Sequence, residues 1–130
     1  MLRLLLDTHA FLWADGNPGI LSDEARTAIA DPANEIYVSA AVAWEIAITF
    51  SSGKLTIPMS PASYVPSRVI ALGFETLPIT QDHALATLAL PEIHADPFDR
   101  IMIAQAQFES LTLVTRDAFS LQYPVQTIKA

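Results

Sequence analysis

The chain has 130 residues, of which 52% are hydrophobic and only 16% are charged, a composition that predicts a single folded domain over residues 1–130 and excludes an intrinsically disordered chain. Its formal net charge of −7 argues against tight, nonspecific binding of nucleic acid through a broad basic surface, although a metal ion would reverse the sign of a local acidic site. The absence of cysteine excludes disulfides and thiolate metal sites and is consistent with a cytoplasmic protein.

The N-terminal half of the chain begins with an apolar strand and continues mainly into helices. The run Leu2–Leu6 predicts a buried strand, and because Asp7 and His9 interrupt it at once we expect neither a signal peptide nor a membrane span. The other elements predicted here are, in chain order, a turn at Thr8–Trp13, a helix over Ala25–Ala30 opened by Ser22-Asp23-Glu24, a strand at Ile36–Ser39, a helix over Ala40–Phe50 ending near Gly53, and a helix over Pro61–Leu72 ending at Gly73.

The C-terminal half alternates strands and helices in the same way. Its predicted elements are a strand at Glu75–Leu77, a helix over Gln81–Leu90 with Thr80 as its N-cap, a helix over Phe98–Glu109 with Pro97 at its first position, and strands at Leu111–Thr115 and Val125–Ile128. The strands lack apolar/polar alternation, which favours a parallel sheet covered on both faces and hence an α/β layer architecture. In such sheets ligands bind beyond the carboxyl ends of the strands.

Three aspartates fall at that end of the predicted sheet. Asp7 directly follows the first strand, Asp117 lies just past the fourth, and Asp99 is in the first turn of the helix that leads into the fourth strand. Each also has a structural interpretation, since Asp7 and Asp117 suit caps of short turns and Asp99 meets the positive end of a helix dipole behind an Asp96 cap. The two interpretations are compatible, because a helix N-terminus can also hold a functional carboxylate.

Glu45 carries the most information of any residue in the chain. It is the only charged residue between Glu35 and Lys54, so no lysine or arginine lies three or four residues away on its own helix to form an ion pair with it. An unpaired carboxylate in apolar surroundings is unfavourable unless a cation or strong donors compensate it, and the alternative is an exposed glutamate on the one wet edge of a buried helix. Converging carboxylates would repel one another, and a hard divalent cation such as Mg²⁺ or Mn²⁺ removes that penalty.

The acidic residues lie within a set of short segments: Leu4–His9, Val38–Ser39, Trp44–Ile48, His94–Arg100 with Ile103–Ala106, and Leu113–Asp117. These segments resemble the PIN-domain nucleases, and more narrowly the VapC toxins of bacterial toxin–antitoxin pairs. The resemblance spans nearly the whole chain, and its most specific part is Asp-Pro-Phe-Asp-Arg followed by Ile-Ala-Gln-Ala.

This resemblance implies a PIN-like three-layer α/β/α fold, with a short parallel sheet covered by helices on both faces. It implies a Mg²⁺- or Mn²⁺-dependent endoribonuclease that often cuts structured RNA such as tRNA, forms a homodimer and is inhibited by a small antitoxin. The catalytic acids would be Asp7, Glu45, Asp99 and Asp117, with Asp7 and Asp99 holding the metal, partly through water. All four positions carry the acid that the family pattern requires.

Three further residues are candidates for supporting the site. Thr115 is two residues before Asp117, so on an extended strand the two side chains point to the same side. Arg100 and Arg116 each adjoin an acid of the site, and we expect them to pair with neighbouring acids or, alternatively, to contact RNA phosphate. Pairing is the favoured interpretation.

The histidines and large aromatic residues predict no additional site. The three histidines lack the spacing of a compact zinc site, so we expect His94 to be peripheral to the acids and not a metal ligand. Trp13, Trp44 and Phe108 are interpreted as core residues, with stacking on RNA bases as the alternative for any that is exposed.

Two interpretations from other classes compete with the nuclease. A haloacid-dehalogenase-like phosphatase needs a second aspartate where this chain has His9, and a receiver domain needs an acid pair before its phosphoacceptor that this chain lacks. A noncatalytic PIN-like protein-interaction module stays open, because four acids permit catalysis without requiring it.

Overall fold

Strands and helices alternate along the chain in the order that the apolar runs predict. The computed structural model describes all residues 1–130. The strands are β1 (Arg3–Leu6), β2 (Glu35–Ser39), β3 (Glu75–Leu77), β4 (Thr112–Thr115) and β5 (Thr127–Lys129). The helices are α1 (Thr8–Gly16), α2 (Asp23–Ala30), α3 (Ala40–Ser51), α4 (Pro61–Ala71), α5 (Gln81–Ala86) and α6 (Pro97–Glu109), with single 3₁₀ turns at Pro18–Ile20, Thr87–Ala89 and Ser120–Gln122.

All five strands are parallel and lie in the order β3-β2-β1-β4-β5. The central strand β1 pairs with β2 on one side and β4 on the other, so that Leu5 lies between Tyr37 and Leu113. The chain moves outward from β1 to β3 and then returns to β4 on the other side, which makes the carboxyl end of β1 the point where strand order reverses. Ligands bind at such points in open α/β sheets, and Asp7 is the residue that follows β1 there.

The sheet is covered on both faces, as its apolar strands predict. Leu4, Leu5 and Leu6 are each 0% exposed, and successive side chains of a strand point to opposite faces, so helices must shield both. This confirms the predicted three-layer α/β/α architecture. None of the six helices has the length and hydrophobicity that crossing a membrane requires.

Most element boundaries fall within one or two residues of the prediction, and the larger differences are at α1, at α5 and at the last strand. The predicted turn after Asp7 is the full helix α1, which Asp7 caps by accepting a hydrogen bond from Ala10 N–H. The predicted helix Gln81–Leu90 is α-helical only to Ala86 and continues as a 3₁₀ turn, where the Thr87 hydroxyl donates a hydrogen bond to the Ala84 carbonyl oxygen. The last strand begins two residues later than predicted, at Thr127.

Two of the aromatic residues interpreted as core are exposed, and that interpretation is wrong for them. Trp44 is 61% exposed and Phe108 is 54% exposed. Trp44 lies on the outer face of α3 and packs edge-on against Phe98, with ring centroids 5.0 Å apart. An apolar residue on a helix is buried only where its side of the helix meets the rest of the protein, and the sequence of α3, which is apolar nearly all round, does not show which side that is.

The burial of β1 predicts a large loss of stability on truncation there. Leu5→Ala removes a side chain that is 0% exposed and should lower the free energy of unfolding by about 2–5 kcal/mol, through lost transfer energy and an unfilled cavity. Urea denaturation followed by circular dichroism measures the change. Leu88→Ala is the matched control, because Leu88 is 86% exposed and its loss should cost less than about 0.5 kcal/mol; equal effects of the two changes would contradict the assigned core.

Candidate metal centre

Four carboxylates from separate parts of the chain, together with that of Asp96, line one pocket of about 340 Å³. Asp7 follows β1, Asp117 lies just past β4, Glu45 comes from the second turn of α3, and Asp99 comes from the first turn of α6. The pocket therefore opens at the carboxyl ends of the two adjacent strands β1 and β4. The structure brings together all four acids that the sequence singles out as the site.

Asp7 is the most enclosed of the four acids, at 7% exposed. One of its carboxylate oxygens accepts from Ala10 N–H at 2.9 Å and the other accepts from the Thr115 hydroxyl at 2.6 Å. The Thr115 hydroxyl also accepts from the backbone N–H of Asp117 at 3.1 Å. Thr115 thus joins the two acids at the strand ends, on the side of β4 that its spacing predicts.

Asp99 faces the pocket because Asp96 takes over the capping of α6. The Asp96 carboxylate accepts from Phe98 N–H at 2.8 Å and from Asp99 N–H at 3.2 Å, which confirms its expected role as the N-cap. Pro97 occupies the first helical position, where its missing N–H costs nothing. The Asp99 side chain therefore does not serve as a helix cap and is available in the pocket.

Glu45 is half-buried and accepts a short hydrogen bond from the Thr8 hydroxyl. No basic side chain pairs with it, as the sequence predicts. The donor that compensates it comes from the first residue of α1, a contact between two helices that no local pattern contains.

His94 lies inside the cluster, where sequence reasoning did not place it. Its Nε2 is 2.9 Å from an Asp99 oxygen and 3.1 Å from an Asp117 oxygen, although it makes no well-directed hydrogen bond to either. Its Nδ1 accepts from Asp96 N–H at 3.2 Å, which assigns the proton of the neutral ring to Nε2. The only sequence feature that pointed to this location is that His94 lies two residues before Asp96, the N-cap of α6, and therefore lies near the helix end that carries Asp99.

The expected ion pairs of Arg100 and Arg116 with acids of the site do not form. Arg100 lies outside the pocket and donates to the carbonyl oxygens of Thr87, Pro91 and His94, which ties that loop to α6. Arg116 lines the pocket but donates to backbone carbonyl oxygens elsewhere. Adjacent residues on a helix or strand point in different directions, so being next to an acid in sequence does not bring contact.

Crowding and burial oppose ionisation of these acids. Burial is the main cause that raises the pKa of Asp7, against the hydrogen bonds from Thr115 and Ala10. Burial, followed by the nearby charges of Asp96 and Asp117, raises the pKa of Asp99 to about 7, although His94 acts in the opposite direction. The cluster without a cation therefore retains protons near neutral pH that isolated carboxylates would lose.

The residues present fit a hard divalent cation. One ligand atom each from His94, Asp99 and Asp117 lies within 4.8 Å of the other two, and the remaining donors are carboxylate oxygens, the ligands that Mg²⁺ and Mn²⁺ prefer. With its proton on Nε2, His94 faces the carboxylates as a donor, so the carboxylate oxygens and not the imidazole fit as ligands for such an ion. The buried Nε2 without a well-directed partner and the raised carboxyl pKa values both indicate a cluster that lacks compensating charge.

The raised pKa of Asp99 predicts that the chelated protein loses stability as pH rises. The folded state keeps a proton on Asp99 up to about pH 7, whereas the unfolded chain releases it near pH 4, so the stabilising protonation is lost between those values. Asp99→Asn should be more stable than wild type at pH 8 in EDTA, by a few kcal/mol at most. Added Mg²⁺ should raise the melting temperature of wild type but not of Asp99→Asn.

Melting temperatures between pH 5 and 8, with and without the metal, check this expectation. Asp31→Asn is the matched control, since Asp31 is exposed and remote from the pocket. If Asp99→Asn kept the pH profile and the metal response of wild type, the assigned electrostatics of the cluster would be wrong.

Comparison with known proteins agrees with the fold and with the motifs. A family model for the PIN domain matches residues 4–119. The chain is 31% identical to ribonuclease VapC22 of Mycobacterium tuberculosis over 118 residues, 90% of this chain and 88% of that protein. It is 48% identical to ribonuclease VapC16 of the same organism over 62 residues, which are 48% of this chain and 43% of that protein.

Solved structures share the architecture at low sequence identity. The chain superposes on VapBC2 from Rickettsia felis bound to a promoter DNA fragment with a TM-score of 0.70, 17% identity and 98% coverage of both chains. DNA-bound VapBC from Salmonella typhimurium gives a TM-score of 0.69, 18% identity and 98% coverage of both chains. Taken with the family match along nearly all of the sequence, these likenesses confirm what the motifs indicate: the chain belongs to the PIN domain family.

Proposed function

We propose that this chain is a Mg²⁺- or Mn²⁺-dependent endoribonuclease that hydrolyses RNA phosphodiester bonds in the four-carboxylate pocket. The observation that carries the proposal is the convergence of Asp7, Glu45, Asp99 and Asp117 on that pocket at the carboxyl ends of β1 and β4. The ribonuclease names of the two relatives from M. tuberculosis support nuclease chemistry.

The roles of the acids follow from how each is held. Asp7 and Asp99 would hold the metal, and Asp117 and Glu45 would complete the cluster around water and substrate. A bound Mg²⁺ or Mn²⁺ supplies polarisation of the phosphate and a lower pKa for a water molecule. Thr115 fixes the Asp7 carboxylate in orientation, as partners of metal ligands commonly do.

Glu45 lines the pocket, and His94 adjoins two of the acids that line it. Thr8 occupies one oxygen of Glu45, so its other oxygen is free to accept a hydrogen bond from an attacking water. The Nε2 of His94 lies beside oxygens of Asp99 and Asp117 and attracts both carboxylates without a well-directed hydrogen bond to either. Both contacts orient the cluster before substrate arrives.

We extend the proposal to the biological setting. The chain would be the toxin of a type II toxin–antitoxin pair, acting as one unit over residues 1–130, as a homodimer in the cytoplasm, on RNA such as tRNA. The relatives named VapC and the neighbours described as VapBC complexes support an antitoxin partner. A net charge of −7 favours a basic partner, and an antitoxin arginine that enters the acidic pocket fits this chemistry.

RNA cleavage by the purified protein tests the catalytic proposal. We expect labelled tRNA to be cut with Mg²⁺ or Mn²⁺ and to stay intact in EDTA. Asp7→Asn keeps the side-chain oxygen that caps α1 but weakens the metal site, so the rate should fall on the order of 100-fold or more. Gel electrophoresis of the products measures the rate.

Asp31→Asn is again the control and should cut at the wild-type rate, because its exposed carboxylate only accepts from Ala33 N–H. Cleavage that persists in EDTA or in Asp7→Asn would contradict the metal mechanism. A folded protein that binds Mg²⁺ and cuts no RNA would favour the noncatalytic interaction module instead.

The partner proposal predicts a short open reading frame beside the gene, and co-expression of the two tests it. We expect the two products to purify together, and the complex to cut RNA more slowly than the free chain, since a basic segment in the pocket would displace metal and substrate. Analytical ultracentrifugation reports whether the free chain is a dimer. A neighbouring product that neither binds nor inhibits would contradict the toxin–antitoxin assignment.

A further inference from the structure

One wall of the acidic pocket carries a cation and two flat rings. Arg116 is the only lysine or arginine that lines the pocket, and His9 and Trp13 lie beside it. The rest of the lining is dominated by carboxylates, which repel a nucleic-acid backbone. An RNA strand that reaches the acids must therefore gain its attraction from this wall or from the metal.

Arg116 is held firmly without being neutralised. Its Nε donates to the carbonyl oxygen of Ala130 at 2.8 Å and its Nη2 donates to that of Ile20 at 2.6 Å. Its guanidinium carbon lies 4.5 Å from the centre of the Trp13 ring. No acid lies within ion-pairing distance of it, although carboxylates share its pocket.

This arrangement leaves donors available for an anion. A guanidinium has five N–H groups, and the Nη1 group of Arg116 makes no hydrogen bond to the chain. The side chain is exposed, and stacking on Trp13 limits its freedom, so little entropy is lost when it binds. A fixed and unpaired guanidinium is well suited to bind a phosphate with two parallel hydrogen bonds.

The rings next to Arg116 present a stacking surface. His9 and Trp13 are one helical turn apart on α1, and their rings stack with centroids 5.5 Å apart and planes at 23°. Trp13 is half-buried and His9 is exposed. Bases of single-stranded nucleic acid stack on such rings with little sequence preference.

We propose that Arg116, Trp13 and His9 form the substrate-binding wall of the pocket. Arg116 binds a backbone phosphate that flanks the reacting one, and the His9–Trp13 stack supports a neighbouring base of a single-stranded RNA segment. The inference rests on the proposed nuclease function and names the part of the chain that binds its substrate. It accounts for how a chain with a net charge of −7 binds a polyanion at one location.

Salt dependence of RNA binding separates this role from a structural one. A labelled single-stranded RNA is titrated in Mg²⁺ with the cleavage-impaired Asp7→Asn protein, and the affinity is followed by fluorescence anisotropy across salt concentrations. Loss of one phosphate contact lowers the slope of log K against log salt by about 0.7 for a single strand. When Arg116→Gln is combined with Asp7→Asn, we expect this decrease in slope and an RNA affinity that is weaker on the order of tenfold.

Trp13→Leu removes the ring on which both His9 and Arg116 stack. It should weaken binding by roughly 5- to 150-fold, the range for loss of one stacked base, while the slope stays the same because the charge of Arg116 remains. Arg26→Gln is the matched control, since it removes another arginine that is already paired with Asp23 on α2. It should leave both the affinity and the slope unchanged.

Arg116 also ties backbone segments together, so stability must be measured beside binding. A structural role alone would lower the melting temperature of Arg116→Gln and leave the salt slope at its Asp7→Asn value. If that variant does not fold, Arg116→Lys and a substitution of the exposed His9, His9→Ala, are used instead. Arg116→Lys should keep the salt slope but weaken RNA binding, and His9→Ala should also weaken RNA binding. Normal affinity in both would overturn the proposal.

Kinetics of the variants with Asp7 intact distinguish the two levels of the proposal. We expect Arg116→Gln to raise KM for RNA cleavage more than it lowers kcat. If wild type cleaves RNA and Arg116→Gln keeps both its KM and its salt slope, the binding wall is wrong and the nuclease stands. If wild type neither binds nor cleaves RNA, the nuclease proposal fails and the binding wall fails with it.

Discussion

Repulsion among carboxylates at the ends of β1 and β4 is the constraint on which the rest of this structure depends. The parallel sheet places Asp7 and Asp117 side by side, and the start of α6 brings Asp99 to the same point. Burial and mutual charge keep the pKa of Asp99 near 7 and raise that of Asp7. The fold holds these groups together at a cost in stability that a bound cation would remove.

The surrounding contacts hold the acids in place without neutralising them. Asp7 caps α1, and Asp117 accepts from the backbone N–H and hydroxyl of Ser120, so both carboxylates also organise the chain that follows them. Thr115 and Thr8 add hydroxyl donors to Asp7 and Glu45. Every one of these partners is neutral, which leaves the net negative charge of the pocket available to a metal ion or to a basic partner.

Arg100 and Arg116 both bind backbone carbonyl oxygens but differ in their position relative to the pocket. Arg100 uses its donors on the carbonyl oxygens of one loop and lies outside the pocket. Arg116 also binds carbonyl oxygens, but it stays exposed at the pocket beside Trp13. Its hydrogen bonds to backbone carbonyl oxygens hold Arg116 in place and leave its positive charge intact, whereas an ion pair with an acid would have neutralised it.

The sequence by itself determined the parallel α/β architecture and the four acids of the candidate site. Apolar strand runs without alternation require cover on both faces, and Asp7 and Asp117 follow two such runs directly, so strand direction alone carries them to one edge. Only the tertiary structure decided that His94 lies between Asp99 and Asp117, that neither arginine pairs with an acid, and that Trp44 is exposed. These outcomes depend on which way side chains point and on contacts between segments far apart in the chain, and neither is encoded in the spacing of neighbouring residues.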